Sequence, residues 1–204
     1  MIDVDALLSP PTPTARLALE TVQAWSTPDL ANHCLRSWAW ASTLGDELGL
    51  TYDRELLFVA TMLHDLGVTP AFDAHAIPFE DAGGAVGWVF AAGAGWPEQR
   101  RTRVREIIER HMWTEVDPEE DAEGHLLEVA TSLDVAGAAP ERWDGALLQA
   151  VTTRLPRGAF SEAFARLIHD QAARKPASTS ARLDASGRIP AGAETWRGIA
   201  DPST

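Results

Sequence analysis

Leu63-His64-Asp65-Leu66-Gly67-Val68-Thr69 closes a very apolar run, Leu56-Leu57-Phe58-Val59-Ala60-Thr61-Met62-Leu63, with an imidazole and a carboxylate side by side. A helix of that composition is expected to be buried, and a buried His-Asp pair requires a partner of opposite charge or a metal ion. Near pH 7 the histidine is neutral and the aspartate ionised, so the pair offers one nitrogen and one oxygen ligand of the kind divalent transition metals take. Gly67 is the predicted stop of this helix, since glycine often follows a helix C-terminus.

Working outward, the chain has 204 residues, 45% of them hydrophobic, enough for one domain with a substantial core. The net charge of −13 argues against a nucleic-acid or anionic-membrane surface, while one pocket can still be locally positive for a small substrate. No apolar stretch is long enough to span a bilayer, and the N-terminus Met1-Ile2-Asp3-Val4-Asp5 is acidic rather than the basic start of a signal peptide. The single cysteine, Cys34, cannot form an internal disulfide, which fits a reducing cytoplasm.

The periodicity is helical throughout, and no stretch alternates like a strand for long. Residues 1–13 read as a proline-rich lead-in, 14–177 as one all-α domain of about seven to eight helices, and 178–204 as a docked arm or frayed tail rich in Ser, Thr, Ala and Gly. Thr14 is the expected cap of a first helix reaching Trp25, and Pro28 opens a second that Gly49 stops. The third, capped by Asp53, carries the His-Asp pair. Gly83, Gly84 and Gly87 lie in a small-residue helix, where they are expected to allow close packing. Beyond it, Val104, Ile107, Ile108 and His111 share one helical face, and Leu126 to Asp134 form a further apolar helix.

The order of ligand-type residues is informative. His33 lies in the helix before His64-Asp65, and Asp134 follows within Ser132-Leu133-Asp134-Val135-Ala136-Gly137. This succession resembles the HD-domain superfamily of metal-dependent hydrolases, a resemblance that implies an all-α HD fold and the metal ligands His33, His64, Asp65 and Asp134. Asn32-His33-Cys34-Leu35-Arg36, the His64-Asp65 segment, Phe79-Glu80 with Gly83, and Ala173-Arg174-Lys175-Pro176 are similar to the cyanamide hydratase-like branch, roughly over residues 14–183. That branch implies one metal ion, usually zinc, and addition of water to a nitrile carbon. Iron, manganese and nickel accept the same ligands. In dinuclear relatives a histidine stands where this chain has Phe79, which cannot ligate, so the resemblance implies a mononuclear site. Ala82 stands where the branch usually has aspartate.

The expected activity is therefore that of a mononuclear hydratase or hydrolase of a small molecule. Asp65 would orient an activated water, with His111 and Glu80 as candidates for proton transfer. One alternative is a phosphohydrolase on a nucleotide or phosphate ester, with Arg36 as its cation. The other is a non-catalytic helical binding domain with a structural metal. His125 lies nine residues before Asp134, about 900° of helix, so the two point apart. His75 and His169 are expected outside the site, Cys34 in the core, and Trp113 against the pocket. Eight tryptophans and a C-terminal arm are compatible with a homodimer.

Overall fold

Thr12, Thr27, Asp53 and Asp121 each accept a backbone N–H with a side-chain oxygen, and these caps set where the main helices begin. The computed structural model describes residues 2–200, in which eleven α-helices and two 3-10 turns account for all regular structure. The helices are α1 (Val4–Leu8), α2 (Pro13–Trp25), α3 (Pro28–Leu48), α4 (Arg54–Leu63), α5 (Phe79–Gly93), α6 (Glu98–Arg110), α7 (Ala122–Ala136), α8 (Gly145–Arg154), α9 (Phe160–Arg174), α10 (Thr179–Ser186) and α11 (Arg188–Ala200). The 3-10 turns are Leu66–Val68 and Pro140–Arg142. Among the described residues no helix is long and apolar enough to cross a membrane.

The fold is all-α, as the periodicity predicts, with the extra helices at the two ends. The lead-in contains α1, whose Leu8 is buried and whose Leu7 carbonyl accepts a bond from Trp38 Nε1 (2.9 Å). The first long helix is capped by Thr12 rather than Thr14, because Pro13 occupies the first helical position, where its missing N–H costs nothing. At the other end, what read as an arm or tail is two helices. Ser178 caps α10, Gly187 (φ 69°) turns the chain, and Trp196 on α11 buries its indole against Trp40 (centroids 6.0 Å apart). Position 1 and the last four positions of that arm, 201–204, lie outside the described residues.

Helices α3 and α4 are the centre of the molecule. From Leu56 to Leu63 every residue of α4 is buried, and α3 buries fourteen residues, including Trp38 and Trp40. Helices α2, α6 and α7 cover α4, and α7 also lies along α3. Burial on all sides of α4 explains its lack of a polar face.

Asp121 ties α6 to α7. It accepts from Gly124 N (2.7 Å), from Arg110 Nη1 (2.6 Å) and from Arg103. Burial alone would raise its pKa, but the hydrogen bonds from Arg103 and Arg110 outweigh that and lower it. Asp121→Ala is expected to cost about 2–3 kcal/mol at pH 7, combining a lost helix cap with lost charged hydrogen bonds. Because the folded pKa is depressed, this contribution is complete above the unfolded value near 4 and fades as the pH falls through the folded one. Urea unfolding of both proteins at pH 7 and below pH 4 should show the gap between them closing in acid.

Candidate metal centre

Three ligand-type atoms from two neighbouring elements converge on one point. His33 projects from the second turn of α3, and His64 and Asp65 from the turn directly after α4. His33 Nε2 is 3.2 Å from His64 Nε2, and Asp65 Oδ2 is 3.3 Å from each of those nitrogens. Ligands held about 2.0–2.2 Å from one tetrahedral ion stand roughly 3.3–3.6 Å from each other. The separations are therefore those of a shared ion.

Hydrogen bonding fixes which nitrogens carry protons. His33 Nδ1 donates to Asp134 Oδ2 (2.7 Å), and His64 Nδ1 donates to the Thr61 carbonyl (2.7 Å). Neither acceptor can donate in return, so each neutral imidazole presents a lone pair at Nε2. Asp65 is 2% exposed, and neither of its oxygens has a hydrogen-bond partner. Three lone-pair atoms crowded together in a buried place require a cation between them. Burial opposes an imidazolium at His33, yet the contacts with Asp134 and Asp65 outweigh it and raise the pKa. Burial likewise opposes an ionised Asp65, but the contacts with His64 and His33 hold its carboxyl well below the usual range. The residues present fit a divalent ion.

Asp134 departs from the expected ligand set. Its Oδ1 accepts from Arg36 Nε (2.9 Å) and Trp40 Nε1 (3.1 Å), and its Oδ2 accepts from Arg36 Nη2 (2.8 Å) as well as from His33. Arg157 Nη1 lies 3.1 Å from Oδ1. With both oxygens engaged by guanidinium groups, this carboxylate sits on the Nδ1 side of His33, outside the cluster formed by His33, His64 and Asp65. Arg36 is correspondingly consumed: it is wholly buried, and its remaining nitrogen bonds the Leu155 carbonyl (3.2 Å). Phe160 stacks on the His33 ring (4.5 Å, 12°) and fixes its plane.

The metal-facing atoms form the floor of a cavity of about 250 Å³. His111 also lines it. Its Nδ1 donates to the Ile108 carbonyl, leaving Nε2 as an acceptor 3.9 Å from Asp65 Oδ1. Burial, reinforced by nearby His64, pushes the His111 pKa down to about 3, so the ring is neutral at pH 7. Trp113 lines the wall, as expected. Glu80 does not line the cavity. Its Oε1 accepts from Thr179, a lining residue, and burial raises its pKa, as its candidacy for proton transfer required. Phe79 is buried with its ring edge-on to His111 (5.6 Å), offering no ligand for a second ion.

Among the remaining candidates, His125 bonds the Val116 carbonyl, His169 pairs with Asp184 at the surface, His75 is exposed, and Cys34 is buried in the core. Arg157, Phe160 and Trp196 were not identified from sequence. Arg157 lies in the loop after α8, with no periodicity to place it, whereas Phe160 shares a helical face with Phe164 and Ile168, which was the signal available.

Gly67 does not end the helix, which stops at Leu63. Its role is close approach: a Cβ there would lie 2.0 Å from the Phe79 carbonyl oxygen and 2.7 Å from Gly83 N. Gly83 reciprocates, since its own Cβ would lie 2.7 Å from the His64 carbonyl oxygen. The two glycines let the His64-Asp65 turn rest directly on the first turns of α5. Gly67→Ala is expected to cost about 3 kcal/mol through overpacking against backbone. Thermal unfolding and metal content per chain should both register it.

Residues 30–136 match the HD domain family, more than half of the chain, and the chain belongs to that family. Divalent-metal binding is a property the fold brings with it, and the His33–His64–Asp65 cluster is the group that could hold the ion. The chain is similar to two proteins of Saccharomyces cerevisiae (strain ATCC 204508 / S288c), Cyanamide hydratase DDI2 and Cyanamide hydratase DDI3. Each is 29% identical to it over 177 residues, which cover 84% of this chain and 78% of the relative.

Proposed function

We propose that the chain is a mononuclear metal-dependent hydratase or hydrolase that adds water to a small C–N electrophile, the nitrile of cyanamide being the first substrate to test. The observation that carries this reading is the trio of convergent lone-pair atoms on His33, His64 and Asp65 at the floor of a cavity. Three protein ligands with space beside them is the pattern of a catalytic metal site, whereas structural sites are closed by a fourth. Zinc suits two imidazoles and a carboxylate best, and Fe2+, Mn2+ and Ni2+ take the same atoms. When bound, such an ion supplies a water whose acidity approaches neutrality.

The chain's own residues then have distinct tasks. Asp65 Oδ2 belongs to the ligand cluster while Oδ1 faces His111, so Oδ1 orients the attacking water. His111 Nε2, neutral and held as an acceptor by the bond at Nδ1, is placed to accept a hydrogen bond from that water and orient it with Asp65. For cyanamide the overall change is addition of one water across the C–N triple bond to give urea, with no other co-reactant. The phosphohydrolase alternative relied on Arg36, whose guanidinium is spent on Asp134.

Elemental analysis of the chain purified without chelator tests the metal. Release of urea from cyanamide by the loaded protein tests the reaction. About one divalent ion per chain with metal-dependent urea release supports the reading. Two irons per chain, or a full metal complement without turnover of any nitrile, overturns it.

A further inference from the structure

The cavity is larger than cyanamide needs. Its volume of about 250 Å³ equals the liquid volume of roughly eight waters, whereas cyanamide has only three non-hydrogen atoms. Apolar side chains, Met112, Phe164 and Leu183 beside Trp113, make up about half of its walls. The charged groups lining it are Asp65 at the floor and two arginines, Arg182 and Arg188. These arginines sit on α10 and at the start of α11, on either side of the Gly187 turn. Among the described residues neither guanidinium has an ion pair or a side-chain hydrogen bond. Glu80 and Glu128 are close enough to feel their charge but do not pair with them. The other two arginines near the centre, Arg36 and Arg157, are engaged with Asp134. In a chain of net charge −13, two free cations on one cavity locally reverse a field that otherwise repels anions.

We propose that the substrate carries an anionic end group, a carboxylate or a phosphate, held by Arg182 and Arg188, with an apolar middle section that reaches to the His33–His64–Asp65 floor. The inference rests on the hydratase reading for what happens at the floor, but not for what is bound at the arginines. It makes the C-terminal arm the specificity element, since the arm supplies both cations and Leu183.

The test pairs turnover with binding. The metal-loaded full chain is given ω-cyanocarboxylates of increasing length, ω-cyanoalkyl phosphates, and ω-cyanoamides of matched length. Glutarate and propyl phosphate, which have no nitrile, are titrated separately by calorimetry and by tryptophan fluorescence. An anionic nitrile is expected to exceed its neutral counterpart in kcat/KM by at least about tenfold, as charged hydrogen bonds to an anion imply. In R182A/R188A, two exposed substitutions, that ratio should fall to near one and the nitrile-free anion should no longer bind, with metal content unchanged. Equal turnover of charged and neutral nitriles, or anion binding that survives in the double variant, overturns the proposal. If no nitrile reacts yet an anion binds in an arginine-dependent way, the anion site stands and the hydratase reading falls. Whichever probe binds, glutarate or propyl phosphate, names the end group.

Discussion

Asp65→Ala is expected to abolish metal retention and reduce turnover to background while leaving the metal-free fold about as stable as before. The carboxylate is buried, yet neither oxygen has a hydrogen-bond partner, so truncation breaks no hydrogen bond. What it removes is a desolvated charge whose only compensation is the contact with His33 and His64 at 3.3 Å. Removing a buried charge that has no hydrogen bonds relieves its desolvation by about as much as the contacts with two neutral imidazoles contribute, so stability changes by only about 1 kcal/mol. The metal-dependent increment behaves differently. An ion present at a hundredfold over its Kd adds about 2.7 kcal/mol to the native protein and nothing to a variant that cannot hold it. The diagnostic result is therefore a pair of melting curves. Wild type should shift upward with added metal, whereas Asp65→Ala should unfold at one temperature with or without it. A variant that keeps both a stoichiometric ion and full turnover would refute the assignment.

The parts of the centre that were legible in sequence are those set by short-range order. His64 and Asp65 follow an apolar run that has to be buried, and His33 lies on a helix whose caps, Thr27 with Pro28 and then Gly49, are all local signals. Arg36 and Trp40 lie one and two turns from His33 on the same face, yet Arg36 was read as a cation for substrate and Trp40 was not singled out. The role of Asp134 was not legible either. Whether a buried carboxylate meets a metal or a guanidinium depends on what arrives from elsewhere, and Arg157 comes from a loop 23 residues further on. Glu80 illustrates a second limit. Its place in the first turn of α5 was clear, but spacing alone does not say which side of that turn faces the cavity, and Thr179 from the C-terminal arm lines it. The arm itself was misjudged on composition. Its small polar residues look like a tail, yet Ser178 and Gly187 are helix caps, and Trp196 donates to the Leu133 (3.2 Å) and Asp134 (3.0 Å) carbonyls. A tryptophan so near the end of the chain was the available signal.

Asp134→Ala should have the largest effect on stability. It strands Arg36, which is wholly buried, and removes the partner of Arg157, so two cations are left facing each other without an anion. Breaking a buried pair on one side costs about 3–5 kcal/mol, a large share of the roughly 5–15 kcal/mol by which domains are stable. Removing the stranded cation as well, in R36M/D134A, should recover much of that loss, because Arg157 is partly exposed and can turn towards solvent. Metal affinity should not recover with it. His33 Nδ1 still lacks its acceptor, the ring is free to change tautomer, and losses of about 10–100-fold follow from removing such a partner. Asp134→Asn separates orientation from ligation. An amide oxygen still accepts from His33 Nδ1, so a positioning role predicts a metal affinity within about tenfold of wild type, despite weakened pairing with the arginines. If Asp134 were instead a ligand, Asp134→Asn would lose the ion as completely as Asp65→Ala. Isothermal titration of the three variants with zinc, read beside their unfolding curves, distinguishes a carboxylate that binds the ion from one that steadies the histidine that does.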